Sequence, residues 1–121
     1  MRAYLPLTWA QLQALHAAGS LEGPLRGCAV DPAWREGSPD VDEEQWEYEA
    51  QSAAAEELSG ADGGVVLAVD LDDSESTMLP TMEDGRFTYP GPVARSAASA
   101  VLTADLAWFG MQEIPELLDG R

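Results

Sequence analysis

The sequence predicts an α/β (or α+β) fold: one compact sandwich domain over residues 1–121, with about four short strands and helices packed on the sheet. Three observations carry that expectation. Gly64-Val65-Val66-Leu67-Ala68-Val69 is an unbroken apolar run, too short for a lone helix, and fits a central strand buried on both faces. Two segments, 9–18 and 40–59, carry apolar stripes of helical period between capping residues. The chain has 121 residues, 45% of them hydrophobic, which suits one core of modest size.

Ala3-Tyr4-Leu5 reads as a short strand closed by Pro6. Thr8 stands as an N-cap with Gln11 three residues on, the spacing of a reciprocal capping box, and Leu7 is placed to staple onto Leu12. The helix runs from Trp9 to Ala18 and stops at Gly19, where a left-handed residue is needed; Leu12 and Leu15 form its stripe and His16 borders it. Gly23-Pro24 marks a loop and Cys28-Ala29-Val30 a second short strand. Asp31-Pro32 opens a single helical turn to Glu36, which Gly37-Ser38-Pro39 breaks.

Asp40 caps the main helix, which runs to Ser59 before Gly60. Trp46, Ala50, Ala53, Ala54 and Leu58 share one face of it, and Glu47, Gln51 and Glu57 point elsewhere. A hairpin pattern follows the central strand, Met78 to Met82 against Arg86 to Tyr89 around Glu83-Asp84-Gly85. Ala97 to Thr103 is a further strand. Asp105 then caps a last amphipathic segment, Leu106 to Leu118, bent near Gly110 and Pro115.

Charge narrows the function classes. Asp and Glu number 22 against 6 cations, all arginine, for a formal charge of −16. The excess is concentrated: ten acids face Arg35 alone between residues 28 and 60, and seven face Arg86 between 61 and 86. A reader of nucleic-acid backbone needs clustered cations to neutralise phosphates, so no nucleic-acid partner is expected. No run approaches the ~20 apolar residues of a membrane span, and the first six residues lack a signal-peptide core. A cytoplasmic protein without a membrane partner is therefore expected. Cys28 has no second cysteine for an internal disulfide, and with the single His16 it cannot build a zinc site.

Three stretches look familiar together: Met1-Arg2-Ala3-Tyr4-Leu5-Pro6 with Thr8, Asp42-Glu43-Glu44-Gln45-Trp46-Glu47-Tyr48-Glu49-Ala50, and Asp105-Leu106-Ala107-Trp108-Phe109 with Gln112-Glu113-Ile114. They resemble a family of small acidic actinobacterial proteins of unknown function, typified by hypothetical proteins of Streptomyces. The likeness covers nearly the whole chain. It implies a compact cytoplasmic protein and brings no activity, cofactor or catalytic residue with it.

The local chemistry leaves two function classes. Val65 to Ser74 ends in D-x-D-x-S and looks like the first motif of haloacid-dehalogenase-type phosphatases, with Asp70 as nucleophile and Asp72 as acid. No lysine follows to hold the transferring phosphoryl group. Asp70, Asp72, Asp73 and Glu75 could instead attract Mg²⁺ or Ca²⁺ weakly, because a divalent cation relieves their mutual repulsion. Their spacing lacks the central Gly and distant Glu of a calcium loop, and no other cofactor is expected. No serine, cysteine or histidine sits in a nucleophile context, so no catalytic residue is assigned.

The favoured reading is a non-enzymatic intracellular binding or regulatory module whose acidic helix meets a basic protein partner. Its contact residues would be Glu43, Glu44 and Glu47 on that helix, with Trp108, Phe109 and Met111 in the apolar C-terminal segment, where a homodimer would also form. The alternative is a small metal-dependent hydrolase or phosphatase-like protein using Asp70 and Asp72.

Overall fold

The computed structural model describes residues 2–30, 32–38, 40–58, 64–70, 85–103 and 106–119. Along the chain run β1 (Arg2–Leu7), α1 (Trp9–Ala18), β2 (Ser20–Leu21), β3 (Leu25–Cys28), α2 (Pro32–Gly37), α3 (Glu43–Glu56), β4 (Val65–Asp70), β5 (Arg86–Tyr89), β6 (Val93–Ala94), β7 (Ala98–Leu102), β8 (Trp108–Gly110) and α4 (Ile114–Asp119). Six strands form one sheet in the order β5-β3-β1-β4-β7-β8, and β2 with β6 forms a separate ribbon. Every registered pair is antiparallel.

The fold is thus mixed helix and antiparallel sheet, with more strands than the expected four. The additional strands are pieces of two to four residues, too short for their own periodicity to announce them, and for β2, β5 and β6 the partners also lie far away in sequence. The first half of the expected hairpin, Met78 to Met82, lies outside the described residues. Its second half, β5, pairs with β3 from Leu25↔Tyr89 to Cys28↔Arg86.

The apolar run of β4 is central, as its composition demands. It pairs with β1 along six residues, from Arg2↔Asp70 to Leu7↔Val65, and with β7 on its other side. Alternation then sorts its side chains onto two faces. Val65, Leu67 and Val69 join Ala3, Leu5 and Leu7 of β1 in a core completed by Leu12 and Leu15 of α1 and Ile114 of α4. Val66 and Ala68 join Tyr4, Cys28 and Leu102 beneath Ala50, Ala54 and Leu58 of the α3 segment. The molecule is therefore a three-layer sandwich, with α3 and α2 on one side of the sheet and α1, α4 and the ribbon on the other.

β1 does not end at Pro6 but continues through it to Leu7. Its one registered rung with β3 is Tyr4↔Cys28, which leaves one side of β1 at Pro6 without a ladder for the missing N–H to interrupt.

The start of α1 forms the capping box that its sequence spells. Thr8 Oγ1 accepts from the Gln11 N–H at 3.1 Å, and the Thr8 N–H donates to Gln11 Oε1 at 2.8 Å. Gly19, at φ +80, ends the helix, and its N–H donates to the Leu15 carbonyl. Thr8→Ala is expected to lower stability by ~1 kcal/mol in urea unfolding with an unchanged m-value, because one reciprocal pair is lost and the core is untouched.

Candidate functional site

The sequence directs attention to α3, and what α3 touches decides which of its acids can meet a partner. Asp42 is the N-cap residue in extended conformation without a side-chain cap bond, and Glu43 and Glu44 fill the first turn, where the helix dipole favours anions. The helix begins three residues beyond the expected Asp40 cap. Two alanines, Ala50 and Ala54, are fully buried against the sheet, and their small side chains let the helix lie close.

That closeness lets Tyr4 of β1 reach up to the helix. Its hydroxyl donates to Glu47 Oε2 at 2.6 Å and accepts from Gln51 Nε2 at 3.2 Å. Burial, then the Glu47 bond, pushes the Tyr4 phenol up to about 12. Glu47 and Gln51 therefore face the sheet and do not point away from it, in contrast to the helical-wheel expectation. An apolar stripe drawn from sequence excludes polar residues, and here a buried tyrosine supplies their partner.

The six expected contact residues separate onto different surfaces. Glu43 and Glu44 are exposed on α3, while Glu47 is half-buried on Tyr4. Trp108 to Gly110, expected inside a bent helical segment, is the edge strand β8. Trp108 opposes Leu102 and Phe109 opposes Val101, and directly opposed residues of an antiparallel pair share a face. Trp108, 49% exposed, therefore lies on the α3 side of the sheet, whereas Phe109 lies on the opposite side. Met111 packs there too, against the core of α1 and α4. The Gly110 N–H donates to Glu113 Oε2 at 2.7 Å, which occupies one donor of this short edge.

Asp70 ends β4 exposed and is held by Arg2, whose Nε and Nη2 donate to its two oxygens at 3.2 and 3.4 Å. Asp72, Asp73 and Glu75 lie outside the described residues. Among the described residues, no group of three or more His, Cys, Asp or Glu side chains is placed to hold a metal ion, and no helix is long and apolar enough to cross a membrane. Burial pushes the Cys28 thiol up to about 11, against the thiolate that a reactive cysteine requires.

Sequence reasoning missed a cleft between α2, α3 and β5. It has a volume of about 280 Å³ and is lined by Trp34, Trp46, Glu49, Ser52, Ala53, Glu56 and Arg86. The Trp34 and Trp46 ring centroids are 5.8 Å apart with the planes at 32°. Trp34 lies against Gly85, at φ +80, where a Cβ would come within 2.7 Å of the indole. Arg86 pairs with Glu56 at 3.7 Å and Glu57 at 3.4 Å, and Arg26 pairs with Glu57 at 3.1 Å. The residues meet from positions 34, 46, 49 to 56 and 86, so no local motif marks them.

Together these features define a small acidic sandwich protein with one helix-covered face that carries exposed carboxylates and the tryptophans Trp34, Trp46 and Trp108. The chain belongs to a family of unknown function (DUF6912), whose model matches residues 1–103. No curated protein and no solved structure matches it.

Proposed function

We propose that this chain is a non-enzymatic binding or regulatory module of the cytoplasm that meets a basic protein partner on the α3 side of its sheet. The observation that supports this most is the position of the engaged cations. Arg2 is on Asp70, Arg26 and Arg86 are on Glu57, and Arg95 donates to the His16 carbonyl at 2.8 Å at the end of α1. The stretch from Asp40 to Glu49 holds six acids and no cation, and Asp40, Asp42, Glu43, Glu44 and Glu49 are exposed. With a chain charge of −16, such a surface attracts a polycation and speeds its encounter. Trp108, on the same side, adds the kind of aromatic anchor that interfaces favour.

The triple variant Glu43→Gln, Glu44→Gln, Glu49→Gln is expected to melt within ~1 kcal/mol of wild type, because lost helix-dipole support is offset by relief of self-repulsion. Glu47 stays unchanged in it, since Tyr4 holds that carboxylate. Affinity capture from the native host, followed by quantitative mass spectrometry, is expected to retain a basic protein on wild type and to lose it on the variant. Equal retention on a folded variant would rule the reading out.

A further inference from the structure

We propose that the cleft between Trp34 and Trp46 seats one arginine side chain of the basic partner, a claim that rests on the reading above and adds the contact that anchors the complex. Size is the first argument. At about 280 Å³ the cleft lies below the roughly 300–1,000 Å³ of small-molecule pockets, which suits a single side chain better than a whole cofactor.

The walls supply the chemistry. A guanidinium stacks on indole and forks onto a carboxylate, whereas an ammonium offers a point charge without a plane. Trp34 and Trp46 provide the aromatic surface, tilted at 32° to each other. Glu49 and Glu56 stand seven positions apart, two turns along α3, with Ser52 between them, and all three line the cleft. Arg86 already holds Glu56 from one wall at 3.7 Å, and among the described residues Glu49 meets only a neutral amide, Gln45 Nε2, at 3.2 Å. Glu49 is therefore the charge that an incoming guanidinium meets. Among the described residues the Trp46 indole N–H is buried without an acceptor, an unmet donor that marks this wall as one not shaped for stability alone.

The test uses an acetylated peptide of alternating Arg and Gly and its citrulline counterpart, which keeps the shape and removes the charge. Binding at low salt is followed through the ¹⁵N–¹H resonances of the indoles. The arginine peptide is expected to shift the Trp34 and Trp46 resonances and the citrulline peptide to leave them in place. Glu49→Gln with Glu56→Gln is expected to weaken binding at least about fivefold. Ser52→Leu fills the cleft without changing charge, and it is expected to weaken binding about as much, which separates the site from the long-range field. Peptide binding that leaves both indoles unshifted, or that survives Ser52→Leu undiminished, overturns the cleft as the seat while the acidic-surface reading stands. Failure of the arginine peptide to bind wild type also overturns it, and the acidic-surface reading then falls only if capture of a basic protein is equally strong on the triple variant.

Discussion

Replacing Gly64 by alanine is expected to cost at least ~3 kcal/mol, more than any surface change in this chain. Gly64 enters the central strand at φ +155, a conformation that L side chains rarely adopt, and that alone is worth ~1–3 kcal/mol. A Cβ there would also collide with the Leu7 carbonyl oxygen and come within 3.2 Å of Leu58 Cδ2. Leu7↔Val65 is the last registered rung of the β1–β4 ladder, so relief of the collision has to pull the two central strands apart. Gly37 is the control, because a Cβ there has no atom within 4 Å and Gly37→Ala is expected to shift stability by less than ~1 kcal/mol. Urea unfolding of the two variants side by side checks this. A Gly64→Ala protein as stable as wild type would mean that the entry to β4 has another conformation.

Tyr4→Phe is expected to be the next most damaging change, at ~1.5–3 kcal/mol, because a hydroxyl bonded to a carboxylate and an amide is removed and Glu47 is left half-buried. The same tyrosine sets a pH dependence. Its folded pKa, about 12, lies above the ordinary 10.0, so the protonated form is favoured by folding. The stabilisation is complete below pH 10 and disappears as pH rises toward about 12, a loss of ~2–3 kcal/mol. Cys28, raised from 9.0 to about 11 by burial, acts in the same direction from pH 9 upward. Unfolding free energies of wild type and Tyr4→Phe measured between pH 8 and pH 12 are expected to converge at the alkaline end. A constant gap across that range would show that the Tyr4 hydroxyl has no role in the alkaline loss.

What the sequence announces here is local chemistry. Thr8 and Gln11 cap α1, Gly19 ends it, and the apolar run of β4 occupies the middle of the sheet, because each of these depends on residues within a few positions. The β2–β6 ribbon and the β3–β5 pair join residues 58 to 74 positions apart, and two- to four-residue strands carry too little pattern to reveal such partners. The dense apolar residues around Trp108 and Phe109 fit a helical or a strand period equally, and pairing with β7 makes them a strand. For the candidate site, the exposure of Glu43 and Glu44 follows from the amphipathic pattern, but Glu47 on Tyr4 does not. The contact between Trp34 and Trp46 was equally hidden, since it depends on α2 folding back over Gly85.

Amide hydrogen exchange of the chain, alone and with the basic protein retained by capture, tests the α3 reading most directly. The account predicts added protection across α3, residues Glu43 to Glu56, and at Trp108, with α1 unchanged. Protection confined to α1 and α4, on the other side of the sheet, would contradict it.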